Sequence, residues 1–262
     1  MVNLKEEQYH QLQVLAVSNR KGGTGKTTVS VNVAAELAAN GRRVLLIDMD
    51  TQGHCAVGLG FKMSKDMTTI HSLFRNSETS LEAAIHPTHF DRLSLMPADP
   101  LFEHGEGLRD ETILKTILAK PEIVNRFDVV ILDTPPSHDI LLLNALIAAN
   151  WLMVPYVPHP LSFEGVRQLT RVLLKIISGS NKSLKVLGFL PVMVSDHIRV
   201  HRKVKHNISQ QFGSSKILPG IRSDISLAES FAHGKPIHYY APKSRAAEDF
   251  AQLSNYLLGM FS

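Results

Sequence analysis

Residues Arg20 to Thr28 read R-K-G-G-T-G-K-T-T, and residue types at that spacing are those that hold a phosphate. Gly22, Gly23 and Gly25 carry no Cβ, so successive backbone N–H groups can converge on one anion. Lys26 supplies a cation that reaches the β- and γ-phosphates of a nucleotide, and the Thr27 hydroxyl supplies an oxygen for Mg²⁺. Lys21 adds a second cation at the start of the loop. The candidate nucleotide-binding set is therefore Lys21, Gly22, Gly23, Thr24, Gly25, Lys26, Thr27 and Thr28. Further along, Phe127 to Asp133 (F-D-V-V-I-L-D) is an apolar run ending in an acid. Such an acid, beside a phosphate loop, holds Mg²⁺ directly or through water. A third stretch, L-L-I-D-M-D-T-Q-G, brings Asp48, Asp50 and Gln52.

These residues need a scaffold, and the surrounding pattern predicts one. The apolar run 13–19 reads as a strand, and 27–39, rich in Val and Ala and free of Gly and Pro, as a helix closed by Asn40-Gly41. The loop then lies between strand and helix, where the helix N-terminus adds its partial positive charge. Arg43–Asp48 is apolar on both faces, as a buried parallel strand is. Ligands of open α/β sheets sit at the carboxyl ends of strands, which turns Asp48 and Asp50 toward the phosphate site. Short helical pieces are expected at 71–74 and 81–85, a strand at 92–97 and an amphipathic helix at 108–119. Strands at 127–133, 151–157 and 185–194 alternate with helices at 138–149 and 162–178. A basic helix near 197–212, a short strand at 217–218, a turn near Arg222 and a closing helix at 245–258 complete the chain. This alternation predicts an α/β fold with a doubly wound, mostly parallel sheet flanked by helices.

The bulk properties agree. A chain of 262 residues is long enough for one sizeable α/β domain, taken as 1–262, and charged residues at 20% fit an ordinary globule. Cys55 is the single cysteine, which excludes an intrachain disulfide and fits a reducing cytoplasm. It is expected to be a plain structural thiol. The polar opening predicts no secretory leader, and no run approaches the ~20 apolar residues of a membrane span. A net charge of +4 permits nucleic-acid or anionic-lipid partners, so its distribution matters.

K-G-G-T-G-K-T-T resembles the deviant Walker A motif of the ParA/MinD ATPases, within the P-loop NTPases. Together with L-L-I-D-M-D-T-Q-G, V-V-I-L-D-T-P-P and G-K-P-I-H-Y-Y-A-P-K-S-R-A-A-E-D-F, it makes Val14–Leu258 similar to a short ParA-type partition ATPase without an N-terminal helix-turn-helix domain. The resemblance implies ATP and Mg²⁺ as cofactors and ATP hydrolysis as the reaction. It gives Lys26 the phosphate contact in its own subunit and Lys21 the contact across an ATP-bound homodimer. Thr27 ligates Mg²⁺ with Asp133 supporting it, Asp48 supports metal and loop, and Asp50 positions the attacking water. Thr51 stands where the family usually has proline, and His54-Cys55 where it has Asn-Ala.

The resemblance also implies nonspecific DNA as a partner, a cargo-linked activator protein, and a cytoplasmic, nucleoid-associated location. Arg199, Arg202, Lys203 and Lys205 lie within seven positions with no acid among them, a run suited to tracking phosphates. On a helix Arg199, Arg202 and Lys203 share a face, with Val200 and Val204 as the apolar stripe. Arg222 extends the patch. Ser226 stands where many relatives carry a basic residue, and no Lys or Arg follows Arg245, so a basic membrane-anchoring helix is not expected. The competing reading is a metabolic or metal-cluster-handling ATPase of the same fold, which one cysteine outside any C-x-x-C disfavours. A binder with a dead nucleotide site is disfavoured by the intact Lys21, Lys26, Thr27, Asp50 and Asp133.

Overall fold

The computed structural model describes residues 11–103, 105–137, 139–160, 162–195 and 197–261. Among them, eight strands form one sheet: β1 (Gln13–Val17), β2 (Val44–Asp48), β3 (His86–Pro87), β4 (Leu93–Met96), β5 (Val129–Asp133), β6 (Trp151–Tyr156), β7 (Lys185–Val194) and β8 (Ile221–Arg222). Their order is β3-β4-β2-β5-β1-β6-β7-β8. Every pairing is parallel except that of β3 with β4. The helices are α1 (Lys26–Ala39), α2 (His54–Gly58), α3 (Ile70–Arg75), α4 (Leu81–Ala84), α5 (Ile113–Leu118), α6 (Pro121–Val124), α7 (Ile140–Ala148), α8 (Ser162–Ser178), α9 (Arg199–Phe212), α10 (Ile225–Ala232), α11 (Ile237–Tyr240) and α12 (Arg245–Met260).

The two faces of the sheet explain the unbroken apolar strands. Leu15, Val17, Val44, Leu46, Val129 and Ile131 pack against Val29, Val33 and Leu37 of α1 and Phe250, Leu253 and Leu257 of α12. Val14, Ala16, Leu45, Ile47, Val130 and Leu132 pack the other way, on Leu142 and Leu146 of α7, Leu169 and Leu173 of α8, and Val204 and Ile208 of α9. Alternate residues thus point to opposite layers, and both layers are covered. Helix α1 is buried almost all round, since α12 closes the side away from the sheet. Its end is fixed by Gly41 at φ 86°, with Arg42 N donating to Leu37 O.

Several elements differ from the sequence expectation, each for a local reason. Strand β5 starts at Val129 because the Asp128 carboxylate turns aside to accept Arg43 N at 2.8 Å and to pair with the Arg43 guanidinium at 2.7 Å. The helix expected over 108–119 begins only at Ile113. Leu108 N is taken by Phe74 O, and Asn144 accepts from Leu114 N while donating to Asp110 O. Helix α7 starts at Ile140, capped by the Asp139 carboxylate, and residue 138 lies outside the described residues. The strand expected at 217–218 is one bridge from Ile217 to Phe189, and the turn expected near Arg222 is β8. Basic helix α9 lies between β7 and β8 in the chain. Helices α2, α6, α10 and α11, and the edge strand β3, have no counterpart in the sequence expectation. No helix among the described residues is long and apolar enough to cross a membrane.

Candidate active site

Strands β2, β5 and β1 lie side by side, and their registers set Asp48 opposite Asp133 and Asp133 opposite Val17. The carboxyl ends of all three strands therefore open on one point, where the Gly-rich loop leaves β1. Asn19 fixes the start of that loop: Nδ2 donates to Pro155 O at 2.7 Å and Oδ1 accepts Lys21 N at 3.0 Å. Thr24 is buried and its hydroxyl donates to Lys21 O at 3.2 Å. Gly23 and Gly25 hold φ of 71° and 74°, a region that costs any side chain strain, and Gly25 is the N-cap of α1. Lys26 and Thr27 follow in the first turn, at the positive end of the helix, with Thr28 beyond.

Both lysines have distinct surroundings. Lys26 is 7% exposed, and burial pulls its ammonium below the ordinary lysine range while Asp133 and Asp50 pull the other way. Lys21 is half-buried at the mouth of the loop, and among the described residues its ammonium has no hydrogen bond or ion pair.

Beneath the loop, Asp133 accepts from the Thr27 hydroxyl at 2.7 Å on one oxygen and from the Ser30 hydroxyl at 2.9 Å on the other. The Cys55 thiol donates to the Thr27-bound oxygen at 3.4 Å. Asp48 is held differently: its two oxygens accept Asp50 N at 3.1 Å and Cys55 N at 3.0 Å, which folds the 48–55 segment around it. Asp50, half-buried, accepts Gln52 N at 3.1 Å. Burial pushes both Asp48 and Asp133 up from the carboxylate range, and for Asp48 the neighbouring Asp133 charge adds to it. Ligand atoms of Asp48, Cys55 and Asp133 lie within 4.8 Å of one another. Two crowded, desolvated carboxylates beside a threonine hydroxyl form an oxygen-rich set that a hard divalent cation fits, since the cation relieves the repulsion. Mg²⁺ there would be held by Thr27 and Asp133, with Asp48 behind.

The AAA domain family model matches residues 12–186. Chromosome partitioning protein ParA of Myxococcus xanthus is 32% identical over 249 residues, covering 94% of this chain and 88% of that protein. Chromosome-partitioning ATPase Soj of Thermus thermophilus is 34% identical over 256 residues, covering 93% and 94%. This chain belongs to the ParA family of ATPases. Membership makes it an ATPase with ATP and Mg²⁺ as cofactors, in agreement with the loop and the carboxylates. Among solved structures, cobyrinic acid a,c-diamide synthase of Mycobacterium smegmatis with bound ADP and magnesium is 31% identical, with a TM-score of 0.78 and 94% of each chain covered.

Four features of this ParA-family site go beyond what the sequence reveals. Ser30, one turn after Lys26, shares Asp133 with Thr27. Asn19 pins the loop. Cys55 is buried against both carboxylates, which push its thiol further above the ordinary range than burial alone. A cavity of about 450 Å³ adjoins Gly25, Thr28 and Val29 and is walled by Met193, Ile221, Leu227 and Phe231. Met193 sits in a bulge of β7 at φ 54° and half-exposed on the rim. Only Ser30 left a signal, its helical spacing from Lys26 and Thr27. The cavity joins segments far apart in the chain.

On α9 the side chains of Arg199, Arg202, Lys203 and Lys205 are all exposed. The buried stripe is Val204 and Ile208, not Val200 and Val204; Val200 is 42% exposed. Arg202, Lys205, His206 and Ser209 line an open groove of about 810 Å³ that ends at Tyr256. Arg199 and Lys203 lie outside it. Arg222 is committed elsewhere: its guanidinium meets Asp249 at 2.7 Å and Glu248 at 2.6 Å. Its charge is thus already neutralised.

Proposed function

We propose that this chain is an ATP-driven dimerising switch that binds nonspecific DNA and positions or segregates a cargo, within one domain spanning 1–262. The observation that carries it is the contrast between its two lysines. Lys26 is buried over Asp133 and Asp50, whereas Lys21 stands at the mouth of the same loop with no partner among the described residues. A cation so placed is free to meet phosphates held by a second copy of the chain. In that arrangement Lys26 and the loop amides take the nucleotide's phosphates, Thr27 and Asp133 take Mg²⁺, and Asp50 orients the attacking water. The adenine sits in the cavity beside Thr28, against Met193 and Leu227.

DNA is bound through α9, where Arg202 and Lys205 in the groove and Arg199 and Lys203 beside it meet phosphates without reading sequence. Arg222 is left out of that surface by its ion pairs. Hydrolysis is stimulated by a cargo-linked activator protein, and the chain works in the cytoplasm on the nucleoid. The partition role of the ParA and Soj relatives supports this reading. A metabolic ATPase of the same fold is the alternative, and the partition relatives do not favour it. Sizing chromatography with a slowly hydrolysed ATP analogue tests the switch. A dimer peak that is lost in Lys21→Ala, with nucleotide still bound, is expected. An undiminished dimer in that variant refutes the trans role.

A further inference from the structure

Arg20, Arg171 and Lys175, with the Gln168 carboxamide, line one cavity of about 220 Å³ between α7 and α8. Its remaining walls are Leu143, Val172 and Ile176, and no acid lines it. Three cations gathered without a counter-charge repel one another. The Nε of Arg20 is also buried with no hydrogen-bond partner. A buried, unanswered guanidinium N–H is costly, and such a group in a native fold points to an ion or water that satisfies it. Among the described residues, neither Arg171 nor Lys175 has a carboxylate partner; the nearby Glu164 pairs with Arg167 and accepts from Gln168 Nε2 at 3.5 Å, on the rim of the cavity and not in its lining.

We propose that this cavity is a receptor for one compact oxyanion, a carboxylate or a phosphate group, separate from the nucleotide site. Arg20 supplies a planar donor fork from below, and Arg171 and Lys175, one turn apart on α8, close over the group from outside. Its volume and its apolar walls suit a single anionic group on a short stem. The site is coupled to the phosphate loop by the backbone. Arg20 adjoins Lys21, and a Cβ placed on Gly165 of α8 would lie 3.6 Å from both Asn19 Oδ1 and Lys21 Cβ. An oxyanion between Arg20 and α8 therefore fixes the element that rests on the start of the loop.

The test uses the full chain saturated with Mg–ADP, so that the phosphate loop is already filled. Inorganic phosphate and a hexaglutamate peptide are titrated separately at constant ionic strength, and the thermal midpoint is read. A saturable rise is expected in the wild type, with the half-saturation concentration raised at least tenfold in Arg20→Gln and in Arg171→Gln/Lys175→Gln. The second variant lies on the exposed side of α8, so it keeps the test valid if Arg20→Gln folds poorly. A response to phosphate alone assigns the site to phosphate groups. Tighter peptide binding that phosphate displaces assigns it to a partner's carboxylate. No saturable rise with either probe, or the same rise in both variants, overturns the proposal.

Discussion

Asp48 and Asp133 face each other across two adjacent strands, yet they are held by different kinds of donor, and isosteric amides should separate them. Each Asp48 oxygen accepts a backbone N–H, from Asp50 and from Cys55. In Asp48→Asn one of those N–H groups faces an NH₂ and is left buried without an acceptor, a loss of about 1–3 kcal/mol. The Asp133 oxygens accept from the Thr27 and Ser30 hydroxyls, and Ser30 also lies 3.0 Å from Lys26 O. Hydroxyls rotate: in Asp133→Asn the Ser30 proton turns to Lys26 O while its oxygen accepts from the new amide. Relief of repulsion between the two acids is common to both variants, so their difference isolates the hydrogen bond. Without ligand, Asp48→Asn should melt about 2–12 °C below Asp133→Asn, at roughly 2–4 °C per kcal/mol for a chain of this size. With Mg–ATP the contrast lies in the response to ligand. At a hundredfold excess over Kd the wild type gains about 2.7 kcal/mol, and Asp133→Asn should lose most of that gain. Thermal melts of the two variants, with and without a slowly hydrolysed analogue and Mg²⁺, decide it. Equal melting without ligand, or a full ligand response in Asp133→Asn, would show that the two carboxylates are not divided in this way.

His71 is wholly buried, accepts Asp99 N on Nδ1 and has its pKa pulled down to about 4 by burial. A depressed histidine contributes stability that is present above the unfolded value of ~6.5 and lost as pH falls toward 4, up to about 3 kcal/mol. His71→Asn, which keeps an acceptor for Asp99 N, should flatten the pH dependence of denaturant midpoints over that window; an unchanged profile would remove His71 as its source. Ala228→Phe, which fills the cavity beside Thr28, should weaken ATP binding at least tenfold in a fluorescence titration without lowering the melting point, and unchanged affinity would place the adenine elsewhere. Lys203→Glu should weaken binding to all DNA sequences alike and flatten the log–log salt dependence by about 0.9 for each phosphate no longer neutralised, whereas an unaltered slope would make α9 a solvated face.

The centre of the fold was legible because its signals are local and redundant. Strands such as Val44–Asp48 are apolar on both faces, α1 runs without Gly or Pro, and Gly23 and Gly25 stand where the loop needs positive φ. The acids were legible for the same reason, each ending such a strand. What stayed hidden depends on interactions between distant segments. Helix α10 carries an ordinary start signal, Asp224 accepting Ser226 N, but Ser223 N is bonded to Val194 O and Asp224 also takes Ala246 N, which no local pattern reveals. The start of α5 is set by Asn144, thirty residues away. On α9 the buried stripe lies one turn later than the local pattern suggests, because Val200 is left exposed while Ile208 is fully buried and Phe212 meets Phe189 of β7 at 4.5 Å. Arg222 looks like a free cation in the sequence because its partners, Glu248 and Asp249, lie 26 and 27 residues further on.

The switch itself is tested most directly by binding of the full chain to nonspecific duplex DNA with Mg–ATP, with Mg–ADP and with no nucleotide, each across a salt series. Tight binding only with Mg–ATP is expected, since in the proposed switch only an ATP-bound dimer would present two α9 surfaces together. Its log–log slope should be steep with ATP and shallow otherwise, and the difference should vanish in Lys21→Ala. Equal affinity in all three nucleotide states, or no binding in any of them, would contradict an ATP-gated DNA switch and favour the metabolic reading.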